Sequence, residues 1–493
     1  MPAAIFFGLA AGGALAQSTT QQGIPAQASP SPGPGGKSYT LPDTFSNQSH
    51  PAPTATPKPD HLIFSGKVRG YDFVRLNSTK NAANPNRRAI AFGALPHLDY
   101  HIGDTPLNIG YTYGGSTGFG LNGPSPITNS AHVDNTLPGY PLDQPIHELY
   151  LQYKDPNAMV TVGDQELNYP WSPNSDSRVL PASYQGIDSA FKIEPKLTFG
   201  LTRIVRFETR NSSNFEANTL LTAPYPGTSS LVANGHTITP GTLRVALNYK
   251  PVNNVSITAE NYEFYNLANL AYAEGKFGLA KTSQANPYLA IQYVAENSLG
   301  KNQIGRIDNH TIGAQFGTNV AKGLLFTAST DIAPWHYAIV TAATAAAAEK
   351  GIFIPGGGTG AAVSAGGGKY RVAYGGIASP YTDSLGPDPL YTTQITQGMA
   401  DRRSAGNAFK TAFIYTNPSK QLKLIADEAW FQYSNDISRN LTSEFNVDGT
   451  YFFNKVRPGP YKGFFVRVRI APRTVPTVPY TFTYQRFITE YDF

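Results

Sequence analysis

Short segments in which apolar and polar residues alternate recur from Leu62 to the carboxyl terminus. In residues 242–250 the apolar set consists of Leu243, Val245, Leu247 and Tyr249. Because successive strand positions point to opposite faces, such a segment is predicted to be a β-strand with one apolar and one polar face. Residues 464–470 and 444–453 follow the same pattern, and in residues 197–210 it places on the polar face Thr202, Arg206, Glu208 and Arg210.

The alternating segments predict an all-β chain of about 18 strands. We place them near residues 62–75, 89–102, 107–120, 146–154, 159–166, 185–193, 197–210, 241–250, 254–265, 267–277, 287–296, 309–318, 323–331, 408–416, 421–433, 443–453, 463–473 and 481–493. An even number of strands returns both termini to the same side of a membrane.

Connections between these strands alternate between short and long. The short ones are 103–106, 154–157, 194–195, 251–254, 319–322 and 418–420. The longest loop runs from Ala333 to Asn407, with an Ala-rich piece at 341–350 that is a candidate short helix and a Gly-rich piece at 356–368. Short turns on one side and long extracellular loops on the other favour a transmembrane antiparallel β-barrel.

Composition favours the same class. Charged residues make up only 14% of the 493, against about 25% in typical soluble domains, whereas Tyr (29) and Phe (27) are abundant. The mean hydropathy of −0.27 is low for a helical membrane protein. A soluble β-sandwich also alternates, but charges deep within the polar faces and aromatic residues at the ends of the apolar faces suit a wet lumen and lipid-facing girdles.

The amino-terminal region is expected to lie outside the barrel. Residues 1–16 form a short apolar segment that ends in Ala14-Leu15-Ala16, typical of a secretory signal peptide, although its usual positive start is missing. Either the signal is truncated or the segment is an apolar tail. Residues 17–60 are rich in Pro, Ser, Thr, Gln and Gly, so we expect a disordered periplasmic leader. The barrel domain then covers residues 61–493.

The last predicted strand ends on an aromatic residue. Phe487, Tyr491 and Phe493 share one face, and opposite them lie Arg486, Glu490 and Asp492. An aromatic carboxyl terminus with apolar residues at alternate positions is the signal that the barrel-insertion machinery recognises. We therefore expect that machinery as a partner, together with outer-membrane lipid and lipopolysaccharide. The alternative is an ordinary final strand of a soluble protein.

Several segments resemble the OprD family of outer-membrane porins. They are Arg69-x-Tyr71-x-Phe73-x-Arg75, Gly163 to Pro170, Asp176 to Pro181, Gln185-Gly186, Ser379-Pro380-Tyr381, Asp388 to Thr392, Arg467-Val468-Arg469 and Glu490-Tyr491. The resemblance covers about residues 62–493. It implies a barrel of eighteen strands, often monomeric, with an inward-folding third loop, which passes small solutes that commonly carry a carboxylate. The Pro-rich leader and the Ala/Gly-rich stretch of the seventh loop depart from the family pattern.

A channel of this kind needs a charged lumen and a constriction rather than covalent chemistry. Arginine is suited to a carboxylate because its fork can bind both oxygens. The candidates are Arg69, Arg75, Arg206, Arg210, Arg244, Lys410, Arg467, Arg469 and Arg486. The resemblance implies a basic ladder on one wall, which Arg467 and Arg469 match best, and barrel closure would bring the first strand beside the last two. The alternative is that these arginines pair with Glu444, Asp448 and Glu490 and fill the barrel.

The third loop, residues 168–184, is expected to fold into the lumen and narrow it. Candidates for the constriction are Tyr169, Asp176, Arg178 and Tyr184. In the alternative, Asp176 and Arg178 pin the loop to the wall through an internal ion pair.

Other functional classes are less favoured. The chain has no cysteine, which excludes a disulfide scaffold and thiolate metal sites. Its net charge of +5 is spread along the chain, so nucleic-acid binding is not expected. We expect no enzyme, cofactor or metal. The sequence thus predicts an outer-membrane porin for small hydrophilic, carboxylate-bearing solutes; the alternative is a secreted β-rich carbohydrate-binding or adhesion protein.

Overall fold

The computed structural model describes residues 60–77, 86–122, 141–174, 178–222, 238–279, 285–304, 307–334, 336–341, 362–382, 388–400, 405–433, 441–453, 463–474 and 481–493. The expected signal segment, nearly all of the expected leader and Asp176 lie outside these residues. No helix in the described ranges is long and apolar enough to cross a membrane.

Within the described ranges, eighteen strands form one antiparallel sheet in which each strand pairs with its neighbour in the chain. The first half comprises β1 (His61–Asn77), β2 (Arg87–His101), β3 (Leu107–Thr117), β4 (Leu142–Lys154), β5 (Ala158–Gln165), β8 (Ser183–Glu194), β9 (Leu197–Glu208), β10 (Thr242–Val252) and β11 (Val255–Phe264). The second half comprises β12 (Ala268–Gly278), β13 (Tyr288–Ser298), β14 (Asp308–Ala321), β15 (Leu324–Ala333), β19 (Gly406–Thr416), β20 (Leu422–Tyr433), β21 (Thr442–Phe452), β22 (Phe464–Thr474) and β23 (Thr481–Asp492).

The sheet closes because β1 also pairs with β23. Their register runs from Lys67 opposite Asp492 to Asn77 opposite Phe482. Below it, Gly66 and Phe493 exchange two backbone hydrogen bonds of 3.0 and 2.9 Å. Closure pairs the strand edges that would otherwise be open, as a span through lipid requires. The predicted class, an all-β antiparallel barrel of eighteen strands, is confirmed.

The apolar faces that the alternation predicts point outward. Leu247 and Phe487 are 45% and 47% exposed, whereas their strand neighbours Ala246 and Arg486 are buried. The outward residues of β22 and the inward Arg467 and Arg469 follow the expected parity. The barrel therefore presents apolar side chains to its surroundings and polar side chains to its interior, the reverse of a soluble domain.

The alternation of inward and outward side chains is interrupted at one point in β9. The register with β8 shifts between the pairs Gln185–Arg206 and Gly186–Ile204. A bulge of this kind adds one residue and inverts the faces beyond it. Val205 and Arg206 are both exposed, and Phe207 is buried. The prediction that Arg206 faces the lumen is therefore wrong.

The connections follow the predicted alternation with three departures. Residues 265–267 form a short connection on the long-loop side, so the predicted split between β11 and β12 is confirmed. On the short-turn side, the connections at 279–287 and 453–463 are longer than the others.

Two loops contain strands that the pattern does not predict. The loop between β5 and β8 holds the short pair β6 (Asn168–Tyr169) and β7 (Ser172–Pro173). The loop between β15 and β19 holds a small sheet of β16 (His336–Thr341), β17 (Ala362–Gly366) and β18 (Lys369–Tyr374). Residues 342–350 of the candidate helix fall beyond the described ranges. We call residues 166–182 loop 3, residues 209–241 loop 4 and residues 334–405 loop 7.

Candidate solute pathway

Three arginines form a run across neighbouring strands on the inner wall. Arg467 and Arg469 are two positions apart on β22, so they point inward one above the other. Arg469 lies directly opposite Arg486 of β23, and Arg486 lies opposite Phe73 of β1. Barrel closure therefore places the charges of β22, β23 and β1 in one sector, as the order of the strands predicts.

One carboxylate forms ion pairs with both Arg467 and Arg469. Asp448 of β21 lies 2.5 Å from Arg467 Nη2 and 2.8 Å from Arg469 Nε. The Arg467 side chain keeps 21% of its surface exposed, whereas those of Asp448 and Arg469 keep 2% and 3%. Arg467 is consequently the member of this trio that meets water, and the trio carries one net positive charge.

Higher in the barrel, arginines gather around an aromatic pair at the closing seam. Phe73 and Tyr484 meet edge to face with ring centroids 4.4 Å apart. Arg178 of loop 3 and Arg486 both donate to the Tyr484 hydroxyl, at 2.9 and 2.8 Å. Arg75 lies 5.3 Å from the Phe73 centroid and 5.5 Å from that of Tyr484. These contacts fit cation–π geometry, in which planar guanidinium groups lie near aromatic rings.

A fourth arginine reaches this group from loop 4. Arg210 follows β9 and is buried. Burial lowers the pKa of Arg210 well below its ordinary value, and the charges of Arg178, Arg486 and Arg75 lower it further. We call Arg75, Arg178, Arg210 and Arg486 the seam cluster. It joins two strands and two loops, so positive charge is concentrated where loop 3 meets the wall.

Arg69 belongs to the same sector but has a different setting. Its Nε lies 2.5 Å from Glu490, and both side chains are nearly fully buried. Its Nη1 donates to the backbone carbonyl of Arg178 at 3.2 Å. Arg69 thus links β1, β23 and loop 3. Its pairing with Glu490 agrees with the alternative in which the arginines pair with lumen carboxylates and fill the barrel.

Arg244 lies in another part of the barrel. On β10 its Nη2 and Nε bind Glu260 at 2.6 and 3.0 Å, and its Cζ lies 3.5 Å from the ring centroid of Tyr169. It is buried and covered by loop 3. Lys410, on β19, also lies outside the seam sector and donates to the backbone carbonyl of Thr393 at 2.7 Å.

Loop 3 enters the lumen, as the sequence predicts. Tyr169, Arg178 and Tyr184 are all buried inside the barrel. Tyr184 donates to the carbonyl of Pro173 at 2.6 Å and so holds the far end of the β6–β7 pair. Because Asp176 lies outside the described residues, its role in the constriction and the alternative of an Asp176–Arg178 ion pair both stay predictions.

Residues 104–332 match the family model described as outer membrane porin, OprD family. The matched residues, somewhat less than half of the chain, resemble that family. This match and the closed barrel of eighteen strands indicate an outer-membrane porin rather than the alternative of a secreted adhesion or carbohydrate-binding protein. No curated protein matches it.

Solved structures share the fold of this porin at low sequence identity. A BenF-like porin from Pseudomonas fluorescens Pf-5 superposes with a TM-score of 0.63 at 14% identity, over 88% of this chain and 98% of that one. OccK9 (OpdG) of Pseudomonas aeruginosa gives 0.61 at 14% identity, over 87% and 98%. OpdK of the same organism, solved with vanillate, gives 0.61 at 12% identity, over 88% and 98%.

Loop 7 of the porin also returns into the barrel. Asp331 of β15 accepts hydrogen bonds from the amide and the hydroxyl of Thr392, both 2.7 Å. Glu444 of β21 accepts from the amides of Ile395 and Thr396, at 2.9 and 3.1 Å, and from the Thr396 hydroxyl. Two lumen carboxylates, Asp331 and Glu444, therefore hold loop 7 inside the barrel.

Loop 7 meets loop 4 and the ends of β8, β9 and β11 in an aromatic cluster that the sequence does not predict. The ring of Tyr381 lies 5.4 Å from Tyr184, 5.1 Å from Phe207 and 6.0 Å from Phe264. Its hydroxyl lies 3.0 Å from that of Thr242. The amide of Leu220 in loop 4 donates to the carbonyl of Pro380 at 2.9 Å. The Ser379-Pro380-Tyr381 motif is the signal that could have located this contact.

Two short motifs that enzymes use occur on barrel strands. Gly114-Gly115-Ser116-Thr117-Gly118 fits Gly-x-Ser-x-Gly, but residues 114–117 are extended in β3 rather than forming the strand-to-helix turn that exposes a nucleophile. His97 and His101 have the spacing of a helical metal pair, yet they lie on β2, and His97 bonds Thr112 at 2.7 Å. Across the described residues, no group of three or more metal-ligating side chains could hold a metal ion.

Proposed function

We propose that the porin passes small hydrophilic solutes by diffusion and favours those that carry a carboxylate. The observation that carries this proposal is the continuous run of guanidinium groups from Arg467 through Arg469 and Arg486 to the seam cluster. A carboxylate held by one arginine finds the next within reach before it leaves the first. Guanidinium forks suit this exchange because each can bind both carboxylate oxygens.

Passage requires weak binding as well as attraction. Asp448 supports this part of the proposal, because it partly neutralises Arg467 and Arg469. At the seam cluster, the flat faces of Phe73 and Tyr484 lie among the guanidinium groups. A planar solute that bears both a ring and a carboxylate suits the edge of this cluster, where Arg75 is half-buried. Vanillate, named with the similar OpdK structure, is a solute of this kind.

The candidate arginines divide into two roles in this proposal. Arg467 and Arg75, which are half-buried, face the path, and positive charge behind them comes from the buried Arg469, Arg486, Arg178 and Arg210. Arg69, Arg244 and Lys410 hold loops, since each contacts loop 3 or loop 7 directly. Tyr169 and Tyr184 fix the inward shape of loop 3.

The test is ion selectivity in planar bilayers. The reversal potential is measured across a potassium chloride gradient for the refolded porin and for Arg467→Met with Arg469→Met. We expect the native channel to favour anions and the double variant to lose most of that preference, and sodium benzoate should reduce the chloride current in the native channel only. Arg206→Met is a matched control, because Arg206 is exposed on the outer face.

Two results would contradict the proposal. One is the absence of any conductance from refolded protein that still shows heat-modifiable migration on a gel. The other is an unchanged reversal potential in the double variant.

A further inference from the structure

Loop 3 is held at two places that lie across the barrel from each other. Its Arg178 contacts Tyr484 and Phe73, on β23 and β1. Its Tyr169 contacts residues of β8 and β10. In the closed order of eighteen strands, β10 lies about half a circumference from β23. Loop 3 therefore crosses the lumen, and each end has its own attachment.

The attachment at Tyr169 is a buried stack on Arg244. The Arg244 Cζ lies 3.5 Å from the Tyr169 ring centroid, a close cation–π contact. The edge of the same guanidinium is occupied by the barrel wall: Glu260 binds it through two oxygens, and the Tyr262 hydroxyl lies 3.2 Å from Nε. One face of the Arg244 guanidinium is thus left for Tyr169. The contacts with Glu260 and Tyr262 keep the guanidinium from rotating.

The rim of the Tyr169 ring is fixed as well. Its hydroxyl donates toward both oxygens of Asp188, each at 2.9 Å. Asp188 in turn accepts from the Thr202 hydroxyl at 2.6 Å. Ring face and hydroxyl are therefore held by three neighbouring strands, and the next residues of loop 3 follow, since the Trp171 amide points to the Tyr262 hydroxyl at 3.5 Å.

We infer that Arg244 is a positioning residue whose stack with Tyr169 fixes the inner position of loop 3 and so sets the size of solute the channel admits. The effect on solute size rests on the proposed function, whereas the attachment of loop 3 rests on geometry alone. We call the stack of Tyr169 on Arg244 the latch. Arg244 is buried under the loop and neutralised by Glu260, so it offers no open charge to a passing anion. The latch is also specific to arginine, because lysine lacks the planar face and the fork.

The test uses the absence of cysteine from the chain. Ser172→Cys places one thiol on β7, where Ser172 is fully buried. Its reaction with a membrane-impermeant maleimide is timed in folded porin in lipid vesicles, in the otherwise native chain and in Arg244→Met with Glu260→Gln, which removes both charges together. We expect labelling to be about tenfold faster in the double variant, since a desolvated cation–π contact is lost. Single-channel conductance should rise as well.

Three further variants sharpen the result. Arg244→Lys keeps the charge but not the stack and should fall between the native chain and the double variant. Lys276→Met removes another lumen cation, 3.4 Å from Glu274, and should leave labelling unchanged. If the double variant does not fold, Tyr169→Leu tests the same stack from the loop, where it leaves the wall pair intact.

Unchanged labelling in both Tyr169→Leu and the double variant, with heat-modifiable barrels, would overturn the inference. Labelling does not depend on transport. The labelling result therefore tests the Arg244–Tyr169 contact independently of the proposal that carboxylates pass through the channel.

Discussion

Arg178 donates a hydrogen bond of 2.9 Å to the hydroxyl of Tyr484, although 306 positions separate the two residues. Arg486 donates to the same oxygen at 2.8 Å. The final strand, which closes the barrel, therefore also holds loop 3 inside it. The tyrosine oxygen is the point at which loop 3 and the arginine run meet.

Tyr484→Phe should loosen loop 3 at this end while keeping the aromatic ring. Hydrogen bonds to charged groups contribute about 1.5–3 kcal/mol each, so the attachment of Arg178 should weaken by about tenfold or more. We expect noisier single-channel currents and faster proteolysis within loop 3. Tyr491→Phe, on the outward face of the same strand, is the control. Currents and proteolysis like those of the native porin would show that Arg178 is held elsewhere.

Asp448→Asn should strengthen the preference of the channel for anions. The substitution removes the carboxylate that lies 2.5 and 2.8 Å from Arg467 and Arg469, so the local charge rises from +1 to +2. One unit charge at 4 Å is worth about 1 kcal/mol in water, or about fivefold in relative anion permeability. The reversal potential in a salt gradient measures this change.

The same variant should also hold an aromatic carboxylate longer, which would appear as longer blocks of the chloride current by benzoate. A reversal potential shifted toward cations would contradict the role of these arginines. Heat-modifiable migration must be retained, because Arg469 is buried and loses a buried partner.

The barrel could be predicted because its determinants are local. Alternation within single strands gives the two faces, and turn residues give the boundaries, so even the split between β11 and β12 follows from a few positions. Closure brings the strand with Arg486 beside the strand with Phe73, and this adjacency needs only the order of the strands. The OprD resemblance adds the inward course of loop 3.

The rest depends on contacts between distant segments. Arg206 leaves the lumen because a bulge in β9 inverts the parity, and a bulge has no signature in the alternation itself. Arg244 looks like a member of the basic wall in sequence, yet Glu260 and Tyr169 enclose it. The inward return of loop 7 to Asp331 and Glu444 is equally invisible, because the loop residues carry no periodic pattern.

Tyr381 should be the main contact that holds loop 7 to the ends of β8, β9 and β10. Tyr381→Phe removes the bond to Thr242, worth about 1 kcal/mol, whereas Tyr381→Ala also removes a ring that touches Tyr184 and Phe207 and should cost about 3–5 kcal/mol. Hydrogen exchange of the amides around Leu220 and Ala378 measures the free energy of local opening of loops 4 and 7. Equal exchange in the two variants would mean that the ring does not hold the loops.

Alkaline pH should open the same loop contact. Burial raises the pKa of Tyr381 from 10.0 to about 12. The folded loop therefore disfavours the phenolate, and the stability it gains from the neutral hydroxyl is fully present below pH 10 and lost as pH rises through 12. Two pH units correspond to about 3 kcal/mol. Exchange near Ala378 should accelerate over this range in the native porin more than in Tyr381→Phe; identical profiles would contradict the assignment.

Phe493→Ala should reduce assembly in the outer membrane more than it reduces the stability of the folded barrel. The ring lies 5.5 Å from that of Phe64 and 6.3 Å from that of Tyr491 and is 40% exposed, so its packing contribution is modest. The backbone bonds to Gly66 survive the substitution, because they involve main-chain atoms alone. We expect less porin in outer-membrane fractions but near-native heat modifiability after refolding in detergent. Phe487→Ala, which removes an outward ring from the middle of the same strand, should affect the membrane fraction less. Native amounts of Phe493→Ala in the outer membrane would show that the ring of Phe493 is not needed for insertion.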